Sequence, residues 1–349
     1  MRSGTWIGNL PGQAWAIGVV ALAGLSAPLA LVAQQPAASA APAAATSAAP
    51  ATAAAATRDA KLFNTPQEAA DALVKAAEDF DETALIEIFG PRGVDVAFTG
   101  EIAQDRQRAA DFAKEAREKK SVSMEPKNGT RAFLLVGNED WPFPVPMVKS
   151  GGKWHFDAAA GRQELLYRRI GSNELDAIEI SRGFVEAQEA YAFEKPDGYA
   201  PNQYAQRVIS SPGKHDGLSW QNPDGTWGGP IGEKIAEAIA EGYGTKDAPY
   251  HGYYFKMLKG QGPDAPMGQL DYVVGGAMIG GFALVAAPAE YRVTGVKTFM
   301  VSQDGVVYQK DIGAKSLDEF KKMERFNPDK TWTPVEDESD DAPQNIAAK

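Results

Sequence analysis

The residues of this chain that could carry out chemistry are few, because it has three histidines and no cysteine. The absence of cysteine excludes disulfides, thiolate metal sites and a catalytic thiol. His215, Asp216 and His251 could converge in the fold and, with Glu174, supply the acid–base groups of a hydrolase. The competing interpretation places His215 in a loop and His251 at a strand end, because no H-x-x-x-H spacing occurs around these residues or His155.

Glu174 is unusual because it falls within the apolar stripe of a long predicted helix, "QELLYRRIGSNELDAIEISRGFVEAQEAYAF". Ser181 and Gln188 follow seven and fourteen residues later on the same stripe. A carboxylate on a buried face must be paired, hydrated or neutral. We expect an ion pair with Arg168 or Arg207.

Aromatic residues are the candidates for contact with a partner. Trp220 and Trp227 lie in "WQNPDGTW", a loop rich in turn residues, where each is either folded back on the body or exposed as an anchor. Tyr253 belongs to "APYHGYYFKML", whose aromatics alternate as on a strand with one side in the core and one side outward. Core and edge packing is the favoured interpretation of that segment, and a ligand platform is the alternative.

The amino terminus predicts export. "AWAIGVVALAGLSAPLALVA" (14–33) is apolar and ends in small residues, which is typical of a signal peptide cleaved after Ala33 or near Ala40. An uncleaved inner-membrane anchor facing the periplasm is the alternative. We therefore predict a periplasmic or secreted protein. The net charge of −11, with no basic patch, excludes nucleic acid as a partner.

Composition divides the remainder of the chain into four segments. Residues 34–61 are nearly all Ala, Pro, Ser and Thr and predict a disordered linker, and residues 336–349 predict an acidic disordered tail. Residues 62–161 and 162–335 are long enough for two folded domains. Both predict an α+β class.

In the first domain, helices precede strands. A helix begins at "NTPQEAADALVKAAEDFD", where Asn64 or Thr65 caps it and Glu68 closes a capping box. A second helix carries Leu85, Ile88 and Phe89 and stops at Gly90-Pro91, and a third covers about 103–119. "KSGGKW" then predicts a hairpin. Pro142, Pro144 and Pro146 predict an edge strand or crossing segment.

In the second domain, the long helix leads to loops and strands. Its apolar residues recur in adjacent pairs, at 177–178, 184–185 and 191–192, which indicates a helix laid along a core. "IGEKIAEAIAEGY" predicts a short amphipathic helix, and "QDGV" predicts a tight hairpin turn.

The first domain resembles the nuclear-transport-factor-like (cystatin-like) domains. The resemblance rests on the "NTPQEAADALV" helix and the hairpin "SGGKW". It implies a cone with a pocket, which could carry a small apolar ligand.

Most of the chain, from Phe63 to Val335, resembles the bacterial domain-of-unknown-function 2950 family. The segments "VGNEDWPFP", "YAQRVISSPGKHDGLSW", "PYHGYYFKML" and "FNPDKTWTPV" carry this resemblance in order. It implies an exported bacterial protein and no assigned activity.

The second domain also resembles the globular heads of type IV pilins and type II secretion pseudopilins. The counterparts are Asn173-Glu174, Tyr199-Ala200, Gly252-Tyr253-Tyr254-Phe255, Ala287-Pro288, Gly295, Phe299 and Asp304-Gly305. The chain departs from pilins because "GRQELLYRRIGS" precedes Asn173 and no prepilin cleavage signature opens the sequence. The resemblance therefore implies a head used for binding or scaffolding, and not a filament subunit.

Calcium is the metal that this resemblance implies, because pseudopilin-like heads can hold it in carboxyl-terminal loops through Asp and carbonyl oxygens. The candidates are Asp264 and Asp271, which flank one loop, and Asp304 and Asp311, which flank the last hairpin. Aspartate in exposed turns is also ordinary. No other cofactor is predicted.

The sequence thus favours a non-enzymatic binding or scaffold module of the cell envelope with an envelope protein as its partner. A periplasmic hydrolase acting on envelope material, and a carrier of a small apolar ligand, are the alternatives.

Overall fold

The computed structural model describes residues 60–127, 129–194, 203–231 and 249–336. The chain is a mixed α+β protein with a long helix and several antiparallel sheets. Five predictions lie outside the described residues: the export signal, the linker up to residue 59, the helix of "IGEKIAEAIAEGY", the pair Tyr199-Ala200, and the acidic tail from residue 337. Contacts divide the chain into two compact units, which meet along the sequence between Leu166 and Tyr167.

Six α-helices occur in the described ranges. They are α1 (Pro66–Glu78), α2 (Glu82–Phe89), α3 (Val94–Ala97), α4 (Ile102–Glu118), α5 (Ala158–Glu194) and α6 (Ser316–Lys322), and a 3-10 turn at Pro91–Gly93 precedes α3. Within those ranges, none of the helices combines the length and the apolar character needed to cross a membrane.

Local capping explains where the first helix begins. The Thr65 hydroxyl accepts a hydrogen bond from the Glu68 backbone N–H at 3.1 Å. Glu68 Oε2 accepts in return from the backbone N–H of Asn64 at 2.9 Å, one residue earlier than in a standard capping box. The predicted cap is confirmed: the Thr65 hydroxyl makes one of its two hydrogen bonds and the Asn64 backbone N–H makes the other.

The sheet of the first unit follows the predicted order. Its strands are β1 (Lys120–Met124), β2 (Arg131–Val136), β3 (Trp141–Pro142), β4 (Met147–Ser150) and β5 (Lys153–Phe156). They pair antiparallel in the order β1-β2-β4-β5, and the short β3 pairs with β2 beside this path. The Gly151-Gly152 turn joins β4 to β5, so the predicted hairpin is confirmed. Pro142 lies in that short side strand, where a missing N–H is tolerated.

Aromatic rings fill the core of the first unit. Phe89, Phe112, Phe143 and Phe156 form a chain of ring contacts with centroids 5.2 to 6.4 Å apart. Leu85, Ile88 and Phe89 of α2 are all buried, as the sequence predicts. These contacts make an aromatic core between the helices and the sheet. The pocket for a small apolar ligand stays a prediction.

The long helix α5 buries the predicted stripe. Ala177, Phe184 and Tyr191 are buried in the core of the second unit. The polar residues on the same stripe hold backbone groups: the buried Ser181 hydroxyl donates to the Ala177 carbonyl at 2.7 Å. The buried Gln188 amide binds both the N–H and the C=O of Ala205, each at 2.9 Å. Gln188 therefore fastens the loop at Ala205 to the helix, whereas the Ser181 bond stays within the helix.

The second unit is built on a central antiparallel sheet of five strands. Its strands in chain order are β6 (Arg207–Ile209), β7 (Gly217–Gln221), β8 (Trp227–Gly228), β9 (Tyr253–Leu258), β10 (Gly260–Gln261), β11 (Leu270–Asp271), β12 (Val273–Val274), β13 (Ala277–Met278), β14 (Ala283–Pro288), β15 (Thr298–Ser302), β16 (Val307–Lys310) and β17 (Thr333–Pro334). The central sheet has the order β17-β16-β15-β14-β9, and the predicted "QDGV" turn joins β15 to β16.

Candidate functional site

Two polar residues of α5 hold the loop that joins β14 to β15. Asn173 Nδ2 donates to the Thr294 carbonyl at 2.8 Å. Glu174 Oε1 accepts from the backbone N–H groups of Val296 and Lys297 at 2.8 and 2.9 Å. The expected ion pair of Glu174 with an arginine is wrong: its carboxylate satisfies two amides instead, and Arg207 lies 3.8 Å from Asp216.

Tyr253 completes this attachment from inside. Its side chain is fully buried, and its hydroxyl donates to the Lys297 carbonyl at 2.8 Å. Burial, with the nearby Glu174 carboxylate, raises the pKa of Tyr253 far above its usual range. A Cβ at Gly295 would overlap the Tyr253 hydroxyl, so this position must be glycine. The prediction that Tyr253 contacts a partner is therefore wrong, because the strand turns this ring into the core.

His251 lies on the outer side of the attachment between α5 and the β14–β15 loop. Its Nδ1 is 2.5 Å from Asp176 Oδ2, and its side chain is 47% exposed. The hydrogen bond with Asp176 raises the pKa of His251, and partial burial opposes that effect. The Tyr250 ring lies 4.3 Å from the imidazole, and burial together with Asp176 raises the pKa of this tyrosine. The pair can hold a proton or bind a polar group at the surface.

The backbone around this pair is strained in two places. His251 has φ +46° and Arg292 has φ +61°, a left-handed conformation that costs non-glycine residues about 1–2 kcal/mol. The segments are adjacent, since the Ala289 N–H donates to the Gly252 carbonyl at 2.9 Å. Arg292 and Val293 are exposed. We call Tyr250, His251, Arg292 and Val293 the turn surface.

His215 and Asp216 belong to a different set of contacts. Asp216 accepts from the backbone N–H and the hydroxyl of Ser211 at 2.7 and 2.9 Å. Burial acts to raise the pKa of Asp216, but these bonds and Arg207 lower it overall. The His215 ring lies 4.6 Å from the Trp220 ring. The predicted convergence of both residues with His251 is not what the contacts show, because His251 pairs with Asp176.

The two loop tryptophans are on a short hairpin. Trp220 is half-buried and packs against the core of the second unit, which favours the folded-back alternative; its contact with a partner stays a prediction. Gln221 pairs with Trp227 across the strands, and Trp227 is also half-buried. Trp227 stays a predicted contact for a partner.

The four candidate calcium ligands serve separate local contacts. Asp264 binds Asn327 at 2.9 Å, and Asp271 pairs with Arg325 at 2.5 Å. Asp304 accepts from Ser302, and Asp311 accepts from the Gly313 N–H, each at 2.9 Å. No group of three or more acidic or histidine side chains suited to a metal occurs in the described part of the chain. The calcium prediction therefore finds no support there.

Sequence reasoning missed Asp176 and Arg292 altogether. Asp176 lies two residues beyond Glu174 on a helix with many charges, and Arg292 is an ordinary loop residue by type. The attachment of the β14–β15 loop to α5 could have been predicted from the combination of Asn173-Glu174 with Gly252-Tyr253 and Gly295.

The comparison with known proteins gives a family and no named relative. A family model described as Protein of unknown function (DUF2950) matches residues 60–335. No curated protein matches the chain, and no solved structure matches it.

Proposed function

The chain belongs to the DUF2950 family of proteins of unknown function, and from that premise we propose that it is a non-enzymatic binding module of the bacterial cell envelope. In this proposal the chain is exported and recognises an envelope protein through the turn surface.

The observation that carries the proposal is the pair of left-handed residues, His251 and Arg292, in adjacent segments. Strained non-glycine residues persist only where surrounding contacts fix them, and they cluster at functional sites. Here Asn173 and Glu174 fix the loop with three hydrogen bonds. The result is a rigid surface that presents an imidazole, an aromatic ring and a guanidinium, which reduces the entropy lost on binding.

The convergence of Asn173, Glu174, Tyr253 and Gly295 also supports a pilin-like head. All four were predicted counterparts of the pilin pattern, although they are scattered along the sequence. Their contacts give that pattern a structural role, which is to attach the β14–β15 loop to the long helix. The first unit is proposed as a nuclear-transport-factor-like domain on its helix-then-sheet order.

A hydrolase is the second candidate because of the contact between Asp176 and His251. A carboxylate that accepts from Nδ1–H leaves Nε2 as a base, which is the arrangement of a histidine that activates water or a hydroxyl. A nucleophile bonded to His251 is not found among the described contacts, so binding is the better supported function.

The test is site-specific photo-crosslinking in intact cells. A photo-crosslinking residue replaces Val293 in the full chain, and the control places it at the exposed Lys214, next to His215. We expect a discrete protein adduct from position 293, its loss in a His251→Asn background, and no such adduct from position 214. Absence of an adduct from position 293, in cells that contain the intact protein, would contradict the binding module.

The His251→Asn variant also distinguishes a hydrolase from a binding module. Asparagine tolerates a left-handed backbone, so His251→Asn should retain the fold while removing the imidazole. Breakdown of purified envelope material by the wild-type chain, lost in His251→Asn at an unchanged melting temperature, would favour the enzyme.

A further inference from the structure

The segment Gly262–Gly281, which we call the apolar arm, exposes more large apolar side chains than a connection between strands requires. It links β10 to β14 and contains β11, β12 and β13. Four of its side chains are exposed: Met267 by 84%, Leu270 by 37%, Val274 by 53% and Ile279 by 46%. Single exposed apolar residues need no explanation, but several within one short segment indicate an interaction site.

The arm is held rigidly in spite of its exposure. The buried Gln261 donates to the carbonyls of Pro266 and Gly268, and it accepts from the Tyr272 hydroxyl at 2.9 Å. The hairpin tip is fixed separately, since Gln206 donates to the Gly276 carbonyl at 2.7 Å. A backbone that is already held in place loses little entropy when a partner covers it.

The β12–β13 hairpin directs apolar residues outward. Its two-residue turn, Gly275-Gly276, has φ +58° and +85°, which suits the twist of a tight hairpin. Val273 pairs with the buried Met278 on the inner face, and Val274 pairs with Ala277 on the other. Alternation places Ile279 on the same outer face as Ala277. Val274 and Ile279 are therefore the centre of the exposed surface.

Among the described residues, carboxylates outnumber cations around this surface. The hairpin turn with Asp304 adjoins the arm, since the Gln303 amide oxygen accepts from the Phe282 N–H at 3.3 Å. A cavity of about 290 Å³ beside β11 is lined by Lys259, Gly260, Asp271, Val273, Glu324 and Arg325. With Asp264, and with Lys256, whose charge interacts with that of Glu324, the described residues of these surroundings hold four carboxylates and three cations. One cation, Arg325, is already bound to Asp271 and to two backbone carbonyls.

We propose that the apolar arm is the docking site for a protein segment whose apolar side chains are flanked by lysine or arginine. The charge complementarity decides the occupant. A second copy would bring the same carboxylates and the same net charge of −11, and an anionic lipid surface or nucleic acid would be repelled in the same way. The arm shares no residue with the turn surface, so it is a second recognition site with its own test.

The test titrates the full-length protein with a labelled twelve-residue amphipathic peptide of leucine and lysine. A matched peptide carries glutamate in place of lysine. We expect the lysine peptide to bind, with an affinity that falls as salt rises. The variant Val274→Ser/Ile279→Ser should weaken that affinity by about a hundredfold, because each of the two buried side chains is worth about tenfold.

The matched control is Leu62→Ser/Ile102→Ser, which removes two apolar side chains that are 55% and 64% exposed elsewhere in the chain. We expect it to bind the lysine peptide as the wild type does. Equal affinity of the arm variant and the control, or equal affinity for the two peptides, would overturn the proposal. Concentration-dependent dimerisation in sedimentation that is lost only in the arm variant would overturn it in favour of a second copy.

Discussion

His251 Nδ1 lies 2.5 Å from Asp176 Oδ2, so a turn residue and a helix residue 75 positions apart in sequence form one pH-dependent pair. The hydrogen bond to Asp176 raises the pKa of His251 above the ordinary value of 6.5. His155 is the contrast: it is buried, and its Nδ1 has no hydrogen-bond partner in the described residues. Burial lowers its pKa, which Asp157 only partly opposes. The pKa values of the two histidines are therefore shifted in opposite directions.

Titration of the histidine rings by NMR tests this contrast directly. The chain has three histidines, so single variants at each position assign the signals. We expect the His251 ring to titrate above pH 6.5 and the His155 ring below it, because one charge is stabilised by a carboxylate and the other is opposed by burial. A His251 titration that does not move down in an Asp176→Asn variant would contradict the proposed cause.

The two histidines should also change the pH dependence of the free energy of unfolding in opposite senses. The contribution of His251 is fully present below its unfolded pKa of about 6.5 and is lost as pH rises through the folded pKa. The contribution of His155 is fully present above about 6.5 and is lost as pH falls through its lower folded pKa. In urea unfolding, His251→Asn should therefore cost more at pH 5 than at pH 8. His155→Gln should show the reverse.

Glu174 provides a test of the attachment between α5 and the β14–β15 loop. Its carboxylate accepts from two backbone amides, so Glu174→Ala should lower the free energy of unfolding by about 2 kcal/mol through the loss of both bonds. Glu174→Gln retains an acceptor oxygen and should cost about half as much, since bonds to a neutral acceptor are weaker. Equal costs for the two variants would instead indicate a role that depends on the charge.

The elements of this fold could be predicted where the cause is local. The cap at Thr65, the stop at Gly90-Pro91 and the Gly151-Gly152 hairpin each depend on a few adjacent residues, so the sequence displays them. The heptad spacing of apolar pairs likewise predicts the buried stripe of α5. These features need no knowledge of distant contacts.

The site could not be predicted because its contacts are long-range. The partners of Glu174 lie 122 and 123 residues away, and an expectation built from charge alone chose an arginine instead of backbone amides. The alternation of aromatic residues correctly predicts that Tyr253 lies on a strand. It does not predict which face of that strand packs into the core. The left-handed backbone of His251 leaves no trace in residue type, because histidine adopts it only when neighbours require it.

Gly295 should be intolerant of any side chain. A Cβ there would overlap Tyr253, and the surrounding core leaves little room for the ring to move, so Gly295→Ala should cost about 2 kcal/mol or more. The double variant Gly295→Ala/Tyr253→Val should lose less free energy of unfolding than the sum of the losses in the two single variants. The control is Gly171→Ala in α5, where a Cβ meets nothing within 4 Å. It should stabilise the chain by about 0.5–1 kcal/mol. Additive costs in the double variant would contradict the packing of Tyr253 on Gly295.

The strain at His251 can be measured by comparing two small residues. Because φ is +46°, His251→Ala keeps the unfavourable backbone, whereas His251→Gly relieves it; both lose the imidazole and its bond to Asp176. We expect the glycine variant to be the more stable of the two by about 1 kcal/mol in urea unfolding. At His215, whose φ is not positive, the order should reverse, since glycine there only adds freedom to the unfolded chain. If alanine is the more stable residue at both positions, His251 is not held in a strained turn, and the argument for the turn surface as a recognition site loses its basis.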